Sequence, residues 1–243
     1  MILKYLICNL KANKTYEEML EYKNNLINIK NTNINLVLAP SSIYLPLFKD
    51  TNINLCIQDI ALNEKLNLTG DISIEQLKSL DVKYAIIGHF ERRKYYKETE
   101  YEILAKIKDA LEHDLKVIYC IGESEEESMR HVEYLVLERE IARIFNKLDN
   151  EELKNIIIAY EPGYLIGNNT SHNIEKIASM INFIKTLVKD YYNINIRVVF
   201  GGSINKDNIS ELLSNKNIDG FIICSSILNP ENITKIMTKM QLQ

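Results

Sequence analysis

A chain of 243 residues with 29 Lys and Arg against 33 Asp and Glu carries a formal net charge of −4, and the two signs are interspersed along it. So weak a field gathers neither nucleic acid nor anionic lipid. With 46% hydrophobic and 26% charged residues, the chain falls among soluble globular proteins of a length that fits one large domain. Cys8, Cys56, Cys120 and Cys224 are far apart, each in or ending an apolar run. They read as buried thiols in a reducing cytosol, not as a zinc or redox pair. The opening MILKYLICNL is short and interrupted by Lys4, so it is expected to be a first strand and not a secretory leader. The expected setting is cytoplasmic, with no nucleic-acid or membrane partner.

Short β-rich runs alternate with helical patterns from end to end. A strand over 4–8 precedes a helix at 16–28, where Thr15 stands before Glu17 and Glu18. Acidic side chains there meet the positive end of the helix dipole. The same beat recurs as 35–39 with 42–49, 54–58 with 73–80, 84–88 with 99–113, and 116–121 with 125–148, the last helix opened by Ser124 before an acidic triplet. It ends with 155–160 and 173–191, 196–200 and 206–214, and 219–224 and 230–240. The strand runs are continuously apolar instead of alternating, as in parallel strands covered on both faces. Eight such beats without a Pro, Gly or Ser-rich linker predict an α/β chain folded as one closed (β/α)8 barrel of eight parallel strands over 1–243.

In a barrel of this kind, chemistry sits at the C-terminal strand ends. Those positions hold Asn9, Lys11, Gln58, His89, Glu91, Cys120, Glu123, Glu161, the Gly201-Gly202-Ser203 run and Cys224-Ser225-Ser226. One histidine, candidate carboxylates, a lysine and a glycine pair on one rim describe an acid–base site with a seat for an anion. His113, His131 and His172 read as surface groups, and none has the spacing of a metal ligand, so no metal is expected.

The segments CNLKAN (8–13), YAIIGHFERRKYYKET (84–99), CIGE (120–123), AYEPGYLIG (159–167), FGGSINKDN (200–208) and NIDGFII (217–223) resemble, in order and spacing, those of the triosephosphate isomerase family. The resemblance implies a TIM barrel that interconverts dihydroxyacetone phosphate and glyceraldehyde 3-phosphate without a cofactor, in glycolysis and gluconeogenesis. It implies Glu161 as the base, His89 as the neutral electrophile, Lys11 as the cation and Asn9 as a hydrogen-bond donor. Glu91, paired with Lys11, and Cys120 would support them. Gly167, Gly201, Gly202, Ser203, Cys224 and Ser225 would seat the phosphate. A lid would run through Pro162, Gly163, Tyr164, Leu165, Ile166, Gly167, Asn168, Asn169, Thr170, Ser171 and His172. A homodimer would form through the 59–71 connection, with Ala12, Leu66, Leu68 and Thr69 at the contact and Arg93 holding the loop around Thr69, Gly70 and Asp71.

The sequence departs from that pattern at Phe90, where the family has serine, and at Phe200, where it has tyrosine. Gly163-Tyr164 and Thr170-Ser171-His172 replace the family's hinge residues, and Cys224-Ser225 replaces a glycine pair. These changes predict weaker lid closure or phosphate binding. Two other functions stay open: another sugar-phosphate isomerase or epimerase, or a catalytically weak barrel kept for binding.

Overall fold

A computed structural model describes residues 4–26, 33–62, 68–167 and 172–242. Eight parallel strands close into a barrel in chain order: β1 Lys4–Asn9, β2 Ile34–Ala39, β3 Asn54–Ile57, β4 Val82–Ile87, β5 Lys116–Ile121, β6 Ile156–Tyr160, β7 Arg197–Gly201 and β8 Gly220–Ile223. The seam is made by β8 pairing back onto β1, with Tyr5 opposite Gly220 and Cys8 opposite Ile223.

The apolar runs predicted as strands are strands because each strand serves two cores. Ile7, Val37, Cys56, Ile86, Ile118, Ile157, Val199 and Ile222 fill the barrel interior. Their neighbours in sequence, such as Leu6, Leu38, Ile87, Val117, Ile158 and Val198, pack outward against the helices. Towards the C-terminal ends the interior narrows to small side chains, Ala39, Cys120 and Ala159. That leaves room above them for the polar groups of the rim.

The surrounding helices among the described residues are α1 Tyr16–Leu26, α2 Ile74–Ser79, α3 Phe90–Tyr95, α4 Glu100–Glu112, α5 Glu125–Met129, α6 Glu133–Phe145, α7 Asn150–Leu153, α8 Ile174–Tyr192, α9 Ile209–Leu212 and α10 Pro230–Gln241. Thr15 and Ser124 cap as their sequences suggest. Glu18 N reaches Thr15 Oγ1 while Thr15 N reaches Glu18 Oε2, and Ser124 and Glu127 form the same reciprocal pair. The helix expected over 125–148 is instead two. His131, with φ +56°, turns the chain left-handed between α5 and α6, so this histidine lies in a break and not on a helix. The 42–49 segment is a 3-10 helix, Ser42–Phe48, containing Pro46. None of the described helices is long and apolar enough to cross a membrane.

Candidate active site

Asn9 ends β1, and the chain leaves the barrel through Lys11 in a left-handed conformation, φ +50°. For a residue with a side chain this costs about 1–2 kcal/mol, and two hydrogen bonds hold it there. Lys11 N donates to Asn9 Oδ1 at 3.1 Å, and Gln58 Nε2 donates to Lys11 O at 3.0 Å. The result aims the ammonium over the barrel, where Nζ donates to Glu91 Oε1 at 2.7 Å. Burial works to lower the lysine's pKa, but the Glu91 hydrogen bond and nearby negative groups outweigh it, so the pKa ends above the ordinary value. The amine is therefore a fixed cation, and among the described residues Glu91 takes one of its three donors.

His89 follows β4 and caps α3: Glu91 N donates to its Nδ1 at 3.2 Å. An Nδ1 that accepts a hydrogen bond cannot hold a proton, so in the neutral ring the proton is on Nε2. That atom lies 3.7 Å from Glu161 Oε2. Glu161, at the end of β6, is 7% exposed, and its Oε2 has no hydrogen-bond partner among the described residues. Space around it is tight. A Cβ on Gly201 would stand 2.7 Å from Glu161 Oε1, and one on Gly122 would stand 2.2 Å from Glu161 O. Glycine at 201 is thus required by the carboxylate it faces. The Cys120 thiol beneath is fully buried, and burial together with the Glu161 charge pushes its pKa well up.

A pocket of ≈170 Å³ opens over these groups, lined by Asn9, Lys11, His89, Glu161, Ile166, Gly167, Gly202, Ser203, Ile222, Cys224 and Ser225. The structure thereby gathers in one place most of the residues that the sequence singled out. Gly201 sits just behind, against the carboxylate. Ile204, Asn205, Ile223 and Ser226 also line it. Asn205 had a readable signal in its spacing to Asp207 and Asn208, whose backbone N–H groups both donate to its Oδ1. Cys224 has φ −120°, so the position does not require the left-handed backbone that favours glycine. Burial raises its thiol pKa against the pull of Lys11.

A family model described as triosephosphate isomerase matches residues 4–240. The chain belongs to the triosephosphate isomerase family. A protein of that name from Clostridium botulinum (strain Langeland / NCTC 10281 / Type F) is 34% identical over 238 residues, 94% of this chain and 96% of the relative. One from Geotalea uraniireducens (strain Rf4) is 34% identical, covering 94% and 95%. Another from Mesomycoplasma hyorhinis is 32% identical over 242 residues, covering 96% and 97%.

Around this pocket, several expectations need revision. Within its own chain, Arg93 does not turn to the loop at Thr69–Asp71. Its Nε donates to Gly88 O at 2.7 Å, Nη2 to Cys120 O at 3.1 Å, and Nη1 pairs with Glu140 Oε1 at 3.2 Å. The arginine that meets the 59–71 connection is Arg92, whose Nε lies 2.8 Å from Asp59 Oδ2. His172 is not a free surface group either. Its Nε2 bonds Gly202 O at 2.6 Å and its ring stands edge-on to Phe200, 5.9 Å between centroids. It thus ties residue 172 to the end of β7, beside the Phe200 ring. At the entry side, Ser203 Oγ donates to Leu165 O at 2.7 Å. Ser203, like Lys11, has positive φ, +46°, and strained backbone of this sort gathers at functional sites. Of the expected lid and contact residues, Asn168, Asn169, Thr170, Ser171 and Leu66 lie outside the described residues.

Glu140 supports this region from α6. It accepts from Gly122 N at 3.1 Å as well as pairing with Arg93. Burial pushes its carboxyl up from the ordinary 4.5 to about 7, with the Arg93 charge opposing. A carboxyl raised in the folded state binds its proton more tightly there than in the unfolded chain. Its contribution to stability is therefore complete below pH 4.5 and is lost as pH rises through about 7. Glu140→Gln should remove that fall. Thermal midpoints measured from pH 4.5 to 8 should converge or cross for the two proteins, with about 2–4 °C of movement for each kcal/mol. Parallel curves would refute the assignment.

Proposed function

We propose that this chain interconverts dihydroxyacetone phosphate and glyceraldehyde 3-phosphate by proton transfer through an enediol or enediolate. The observation that carries the reading is the meeting of Glu161 Oε2 and His89 Nε2, 3.7 Å apart, at the floor of one small pocket that also holds Lys11. A buried carboxylate with one oxygen, Oε2, unpaired among the described residues is suited to taking a proton from carbon beside a carbonyl, and returning it to the neighbouring carbon. The Nε2–H of His89 would polarise the carbonyl oxygen and shuttle a proton between the two substrate oxygens. Lys11 and Asn9 would stabilise the negative charge that develops. Gly167, Gly202, Ser203 and Ser225 would receive the phosphate at the outer wall.

The pocket's ≈170 Å³ lies below the about 300–1,000 Å³ usual for larger ligands, which favours a triose over a longer sugar phosphate. Phe200 offers the lid no hydroxyl. One such bond is worth about 0.5–1.5 kcal/mol, or roughly 2–12-fold in the closed population, so a raised KM is part of the reading. A coupled assay on glyceraldehyde 3-phosphate, run also in D2O, tests it. Turnover without added cofactor, with solvent deuterium on the product carbon, is the expected result. Turnover confined to longer sugars, or none, would overturn it.

The reading includes a homodimer. Ala12 and Thr69 are exposed, and Leu68 is 44% exposed on the 59–71 connection, as an apolar anchor for a second copy would be. Sedimentation at the single-chain mass of 28.2 kDa would exclude it. Glycolytic and gluconeogenic use and a cytoplasmic setting follow from the same reading, and a cell fraction lacking the protein from its cytosol would count against the latter.

A further inference from the structure

Phe90 opens α3 directly after His89, and its ring lies against the first residue of the lid's entry turn, Gly163–Leu165. A Cβ on Gly163 would stand 2.7 Å from Phe90 Cε2, 3.2 Å from Cδ2 and 3.4 Å from Glu123 O. Carbon atoms in contact ordinarily sit about 3.5–4.0 Å apart. The backbone itself would accept a side chain, since Gly163 is not among the residues with positive φ. Glycine is needed at 163 because of its neighbour.

The hinge backbone is held, and the half-buried Phe90 ring has no room to retreat inward. Gly163 N donates to Glu123 O at 2.8 Å, and the fully buried Glu123 carboxylate accepts from Tyr160 OH at 3.1 Å. The cavity near the ring, shared with Arg93, Cys120 and Glu161, measures only ≈20 Å³, far too little for a phenyl group. Pro162 alone separates Gly163 from Glu161, whose carbonyl is already in close contact with Gly122. A shift of the hinge therefore passes to the carboxylate.

We propose that Phe90 is a positioning residue: its ring seats the entry hinge of the lid, and Gly163 is the steric complement that lets Glu161 keep its place. Two departures from the family pattern are thereby one coupled change. The kinetic side of this proposal rests on the isomerase reading, whereas the packing side does not.

The test is a double-mutant cycle with Gly163→Ala, Phe90→Ser and the pair, read by thermal midpoint and by kcat and KM separately. At a compatible site Gly→Ala stabilises, by restricting the unfolded chain. Beside Phe90 it should instead lower the midpoint by about 2–4 °C or more and reduce kcat about tenfold through displacement of Glu161, with KM little changed. In the Phe90→Ser background the same change should leave the midpoint level or raised and kcat undiminished. Should Gly163→Ala alone fail to fold while the double variant folds, the coupling is supported. Equal effects in both backgrounds, of either sign, overturn it. Should no form turn over triose phosphate, the midpoints still decide the packing claim, and only the isomerase reading falls.

Discussion

Glu161→Gln is expected to lower kcat by about 10²–10⁴-fold, leave KM nearly unchanged, and make the protein more stable. On the proposed mechanism, loss of the Glu161 carboxylate removes a group used in the transition state, and Gln keeps the shape that receives the ground-state substrate. The gain in stability comes from the same feature that makes the carboxylate reactive. Glu161 is 7% exposed, and Oε2 finds no hydrogen bond among the described residues. Gly201 stands so close that a Cβ there would lie 2.7 Å from Oε1. A buried acceptor without a partner costs about 1–3 kcal/mol, more when charged, and a neutral amide removes the charge from that enclosure. At about 2–4 °C per kcal/mol, the midpoint should rise measurably. Activity within tenfold of the native protein would sink the base assignment, and a lowered midpoint would sink the account of its burial.

The barrel was legible because its strands are apolar on both faces, a property that composition alone reveals in runs such as Lys116–Ile121 and Ile156–Tyr160. The rim was legible because polar residues at strand ends have few other uses, and Asn9, Lys11, His89 and Glu161 do line one pocket. Helix α3 was not. FERRKY has no apolar periodicity, and its first turn depends on a side-chain cap from His89 Nδ1, which no local pattern declares. The break at His131 was hidden for the opposite reason: the periodic run on either side continues across a left-handed residue that is not glycine. Of two adjacent arginines, sequence cannot tell which faces inward. Buried Glu140 on α6 decides for Arg93, and Asp59 after β3 takes Arg92. The tie between His172 and Gly202 needed coordinates too, since it joins a loop to a strand end 30 residues away.

Lys11→Met should lower kcat/KM by about 10²–10³-fold with the fold intact, and the backbone makes this a clean comparison. Methionine at φ +50° bears the same left-handed penalty as lysine. The bonds that hold the turn, from Lys11 N to Asn9 Oδ1 and from Gln58 Nε2 to Lys11 O, involve no side-chain atom of residue 11. Glu91 would lose its 2.7 Å partner, but its side chain is 39% exposed, so water can take the ammonium's place. What disappears is the fixed cation facing the pocket, and with it, on the proposed mechanism, both attraction for a phosphate dianion and stabilisation of the enediolate. The first loss raises KM, and the second lowers kcat. Glu91→Gln separates them from mere positioning. It leaves the charge but frees the amine, so kcat should fall more than KM rises, by a smaller factor than in Lys11→Met. If Lys11→Met kept kcat/KM within tenfold, charge development in this pocket would have to be met by His89 and Asn9 alone. If Glu91→Gln were the more damaging change, the pair would matter for the shape of the rim and not for its field.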